Sequence, residues 1–135
     1  LGLDPAQRYA AFDFWEERYL GILQGSLPLR ALPVGGSQLC AVTPIVDNAP
    51  VLIASDRHVS MDSVSVTNHQ REGAALTLTL HGVLGESFRY WVYAPVPCTV
   101  EADVPVTAQR AEEVICVTVQ FEKATATVRL RPVTA

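Results

Sequence analysis

Leu76-Thr77-Leu78-Thr79-Leu80-His81 decides the fold class of this chain. Its leucines alternate with polar residues at the period of two that a half-buried strand requires and a helix cannot use. Downstream, the turn residues Gly82 to Gly85 are followed by Phe88 to Tyr93. There Phe88, Tyr90 and Val92 take one face and Arg89, Trp91 and Tyr93 the other, which predicts a hairpin with the leucine strand. Pro95 and Pro97 end it, and Thr99–Ala102, Val106–Ala108, Val114–Phe121 and Thr125–Leu130 read as four more strands. Upstream, Gly21, Gly25, Pro28, Pro33, Gly35 and Gly36 leave no room for a long helix. Strands are expected at Leu27–Leu32 and Gln38–Val46 around a turn at Pro33–Gly36, and at Val51–Ala54 after a turn at Asp47–Pro50. Pro44 cannot donate to a ladder, so its strand should lie at an edge or carry a bulge.

Short strands at such spacing, without intervening amphipathic helices, predict an all-β antiparallel sandwich, Ig-like or Greek-key, of about eight to ten strands. The N-terminus carries conflicting signals. Asp4 followed by Pro5 is a good helix start, and Tyr9, Phe12, Trp15 and Tyr19 recur at helical spacing. The same residues also alternate as a strand would. The expectation is a short helical turn at Pro5–Arg8 and then a strand from Tyr9 to Trp15.

A chain of 135 residues fits one domain with a sizeable core, so residues 1–135 are expected to form a single sandwich. Leu1 in place of Met suggests a piece of a longer protein. The 49% apolar and 18% charged composition is that of a globular chain. Only ten Lys and Arg residues, scattered in a chain of net charge −4, give no footprint for a phosphate backbone, so no nucleic-acid partner is expected. No apolar run reaches the roughly eighteen residues of a membrane helix, and no membrane partner is expected. Cys40, Cys98 and Cys116 fit neither a metal knuckle nor a disulfide framework. They read as buried free thiols, which favours a reducing compartment such as the cytoplasm.

Candidate chemistry is sparse. Asp56 and His58 could join a serine in a nucleophilic triad, but their spacing is unspecific, and the better reading is a capped turn. His69, between Asn68 and Gln70, reads as a polar turn, and His81 ends a strand; scattered histidines make no metal site. The acidic pairs Glu16-Glu17 and Glu112-Glu113 are each adjacent in sequence, unlike the facing carboxylates of a glycosidase cleft, and read as solvated charge. Arg89, Trp91 and Tyr93 share one strand face and could form a carbohydrate platform, although sheet packing is the commoner use of such residues. No catalytic residue, metal site or cofactor site is assigned.

Two stretches carry a family resemblance. Tyr9-Ala10-Ala11-Phe12-Asp13-Phe14-Trp15, followed by Tyr19-Leu20-Gly21, resembles the opening of the C-terminal β domain of melibiase-like glycoside hydrolases, the α-galactosidase group. Pro50-Val51-Leu52-Ile53-Ala54-Ser55-Asp56-Arg57-His58 is similar to the segment where those domains cross to their next sheet. The likeness covers about the first two-thirds of the chain. It implies an accessory domain packed on a preceding (β/α)₈ barrel that holds the catalytic carboxylates. That barrel, in the same polypeptide, is the implied partner. Tyr9, Asp13, Trp15, Arg57 and His58 are the expected contacts with it. A carbohydrate-binding module and an independent Ig-like interaction domain are the alternatives.

Overall fold

Residues 2–61 and 65–134 are described in the computed structural model, where they form eleven strands and, among the described residues, no helix. The strands are β1 (Tyr9–Asp13), β2 (Arg18–Leu23), β3 (Cys40–Pro44), β4 (Val51–Ser55), β5 (Val66–Glu72) and β6 (Ala75–His81). They continue as β7 (Ser87–Tyr93), β8 (Cys98–Ala102), β9 (Val106–Ala111), β10 (Val114–Gln120) and β11 (Thr125–Pro132). All pairings are antiparallel, in a first sheet β2-β1-β3, a middle sheet β4-β7-β10-β9 and a third sheet β5-β6-β11-β8.

The middle and third sheets make the sandwich. Leu76, Leu78 and Leu80 of β6 and Ala126, Val128 and Leu130 of β11 meet Leu52, Tyr90, Val92, Val117 and Val119 of the middle sheet in one buried cluster. Each fully buried leucine contributes roughly 1.5–3 kcal/mol of transfer free energy, so this layer supplies much of the driving force. The other face of the middle sheet is not left to solvent. Trp91 and Tyr93 pack there with Ile53 and Val114 against Ala10 and Phe12 of the first sheet, with the Phe12 and Trp91 rings 4.7 Å apart. A bulge in β4 serves both layers: Leu52 joins the sandwich core, while Ile53 and Ala54 face the first sheet.

Four expectations are corrected. Asp4 does cap its successors, with Oδ1 accepting from the Ala6 amide at 2.8 Å and its carbonyl from the Gln7 amide at 3.2 Å, but the result is one turn and no helix. The chain then enters β1, whose pairing on both sides by β2 and β3 outweighs the local helix start. Second, β6 and β7 are not a hairpin; they lie in different sheets. Gly82 makes the corner between them by passing over the buried Phe121 ring, where an added Cβ would sit 2.6 Å from three ring atoms. Third, Leu27–Leu32 is not a strand: Pro28 removes a ladder donor within it, and Arg30 ties it to Asp13 and Glu16 instead. Fourth, His69 lies within β5, which, like β2, the sequence reading passed over. Glycine at 21 fits β2 because it sits at φ +102° beside a register shift in the β1–β2 ladder. β3 is an edge strand that ends on Pro44, as the missing donor requires.

Candidate functional site

The turn joining β1 to β2 is built from β1's last residue outward. Asp13, with 0% of its surface exposed, accepts from the Glu16 amide at 3.1 Å and from Gln38 Nε2 at 3.0 Å. Its carboxylate therefore fixes both the turn and the segment that returns to β3. Arg30 holds Glu16 at 2.8 Å, and Arg89 of β7 holds Glu17 at 2.6 Å. Arg89 also binds Asp56 through two donors, its backbone amide at 2.7 Å and Nε at 2.8 Å. The side-chain bonds to Glu17 and then Asp56 raise the already high pKa of the guanidinium. The ion-pair chain Glu17–Arg89–Asp56 thus brings the β1–β2 turn and the loop after β4 to one corner. Trp15 stands on that turn, edge-on to Phe14 and 53% exposed.

The expected interdomain residues divide on this geometry. Trp15, Arg57 and His58 belong to the corner. Arg57 stacks over Phe88 at 4.6 Å, and His58 Nδ1 accepts from the Ser60 amide at 3.2 Å. Asp56 is bound to Arg89 and not to the imidazole, so no triad forms. Tyr9 and Asp13 are buried by the chain's own segments, at 6% and 0% exposure. The Tyr9 hydroxyl bonds back to the Asp4 backbone, beside a cavity of about 300 Å³ lined by Leu3, Pro5 and Leu27.

The platform expected from Arg89, Trp91 and Tyr93 is roofed by the first sheet. Trp91 is 8% exposed, with Phe12 on its ring and the Arg89 guanidinium 5.2 Å from its centroid. The first sheet covers only part of the middle one, however. Between β2 and the β9–β10 hairpin a groove of about 510 Å³ remains, with Trp91, Val114 and Cys116 in its floor. Tyr19 forms its wall, and burial together with Glu113 pushes its phenol well above the usual range, so the hydroxyl stays protonated. Burial likewise raises the Cys116 thiol. The groove brings together Glu17 and Glu112, which the sequence presents as members of two separate acidic pairs of solvated charge. Their convergence depends on the crossing of two sheets and leaves no trace in local spacing.

Cys40, Cys98 and Cys116 are free and only partly buried. Among the described residues, no group of three or more His, Cys, Asp or Glu is placed to hold a metal. The described residues define an all-β fold of three antiparallel sheets with an aromatic corner anchored by ion pairs. Comparison with family models, curated proteins and solved structures gives no match.

Proposed function

We propose that the chain is a noncatalytic accessory domain that docks on a neighbouring catalytic domain of the same polypeptide through the Trp15 corner. The observation that carries this is an exposed tryptophan on a turn whose next two residues, Glu16 and Glu17, are each held by an arginine from elsewhere in the chain. Tryptophan is the residue most often found to dominate an interface, and a fixed turn loses little entropy on docking. The neighbour is taken to be a (β/α)₈ glycoside hydrolase barrel because both stretches that resemble melibiase-like domains lead into this corner. The acidic pair there is engaged in ion pairs with Arg18, Arg30 and Arg89, which suits a structural role.

The test is made in the polypeptide encoded by the complete reading frame. A photo-crosslinking residue in place of Trp15 should couple the domain to a barrel segment encoded upstream. Trp15→Ala should lower the stability of that assembly while leaving the β domain folded. A reading frame without a barrel-sized segment, or unfolding of the β domain itself by Trp15→Ala, would rule the proposal out.

A further inference from the structure

We infer that β9 is a pairing edge at which two copies of this chain join, antiparallel about a two-fold axis through Ala108. This contact is made by backbone groups of the middle sheet and does not depend on the docking proposed for Trp15. β9 closes one side of the middle sheet and pairs with β10 alone. The Gln120 amide donates to the Pro105 carbonyl at 3.0 Å, in register with that ladder. Antiparallel alternation then turns the backbone groups of Thr107, Gln109 and Ala111 toward β10 and leaves the N–H and C=O of Val106, Ala108 and Arg110 facing outward. Among the described residues, these three outward amides have no backbone partner.

Sheet edges commonly carry a device against such pairing: a charge, a proline, a bulge or a cover. The other edges here do. β4 is buried along its length, with Ile53 and Ala54 under the first sheet. β3 ends on Pro44, and β2 begins on Arg18 and pairs through a register shift. β5 is bulged at Val66–Asn68 and sets Arg71 opposite Leu76, on the core face, while β8 follows Pro97 and carries Glu101. β9 pairs with β10 without a register shift, contains no proline, and its single charge is withdrawn. The Arg110 guanidinium turns away to donate to the carbonyls of Ala94 at 2.8 Å and Val96 at 3.1 Å. Self-complementarity selects a second copy as the partner. A two-fold axis at Ala108 pairs all three outward-facing residues, Val106 with Arg110 of the other copy, Ala108 with its counterpart, and Arg110 with Val106. Thr107 then stands opposite Gln109, so no like charges face each other. The pairing adds about six backbone hydrogen bonds and joins the two middle sheets into one.

Sedimentation equilibrium of the protein should show a monomer–dimer equilibrium with a dissociation constant on the order of 10 μM. Hydrogen exchange at high protein concentration should slow at the amides of Val106, Ala108 and Arg110, while those of Thr107, Gln109 and Ala111 keep the protection that β10 already gives. Ala108→Lys and Ala108→Glu each set like charges face to face at the axis and should each weaken dimerisation about fivefold, and an equal mixture of the two should recover it. Ala108→Pro removes an outward donor and leaves the β10 ladder its bonds, so it should weaken the dimer roughly tenfold or more. Residue 108 is exposed, and all three variants should keep the circular dichroism of the parent. The inference fails if the protein stays monomeric at about 1 mM, if the slowed amides lie on another edge, or if the Lys and Glu variants do not recover on mixing. Protection of the outward amides in the complete polypeptide but not in this chain would assign the edge to another segment, and it too would overturn the pairing of copies.

Discussion

The two buried layers of this protein are built on different terms. Between the middle and third sheets the contact is made chiefly by leucine, valine and alanine from strands of even alternation. Between the first and middle sheets it is made by Phe12, Trp91 and Tyr93 with Met61, and it adjoins bulges in β1–β2 and β4 and the buried Asp13. The aliphatic layer follows strand alternation, and its buried Tyr90 hydroxyl donates to Ser65. The aromatic layer rests on fewer, larger contacts and a network of ion pairs, so losing one ring should release a whole sheet.

Phe12→Ala is the sharpest way to break that contrast. Removing the ring that faces Trp91 should cost about 3–5 kcal/mol. Hydrogen exchange should show β1–β3 losing protection while β6 and β11 keep theirs; loss across all three sheets would mean that the layers unfold as one unit. Leu78→Ala, at about 2–5 kcal/mol, should instead lower protection throughout the middle and third sheets, with the loss read as a shifted urea midpoint. Tyr90→Phe is expected to cost about 1 kcal/mol, because the buried Ser65 hydroxyl loses its 3.2 Å partner.

Alkali probes both layers. Burial raises the phenols of Tyr90, in the sandwich core, and Tyr93, in the aromatic layer, above their unfolded value. Their contribution is complete below pH about 10 and is lost as pH rises through the higher folded values. Chemical denaturation at increasing pH should show this decline, with Tyr90→Phe flattening it. Trp15→Ala should have the smallest effect on the chain alone, within about 0.5 kcal/mol, since its ring is half exposed and meets Phe14 edge-on. A larger loss in thermal unfolding would transfer Trp15 from the docking corner to the aromatic layer.

What could be read from the sequence follows the same division. Leu76 to His81 and Phe88 to Tyr93 announced their strands and faces because period two is local. Their partners were not announced: alternation says which way a side chain points and not which sheet receives it. β6 and β7 were therefore read as a hairpin, and only Gly82 with Phe121 beneath it marks the corner. β2 was missed because its half-buried Arg18–Leu23 lacks alternation, and β5 because seven largely exposed residues give no apolar signal. The corner is legible in fragments. Trp15, Arg57 and His58 stand out by residue type, but the Arg89 link between Glu17 and Asp56 joins residues far apart in sequence and leaves no local signal. The groove could not be foreseen, since its residues come from β2, β7, β9, β10 and two turns.

The place of β11 in the third sheet bears on how the protein is made. β11 lies between β6 and β8, pairing with both, so the sheet lacks its middle until residues 125–132 leave the ribosome. Until then Leu76, Leu78 and Leu80 have β5 on one side and an open edge on the other, a template for pairing between nascent chains. The first sheet has no such wait, for β1, β2 and β3 follow one another in synthesis. The chain should thus emerge with its Trp15 turn formed early and its main core closed late, and slow steps near residues 125–132 should raise aggregation more than pauses anywhere upstream.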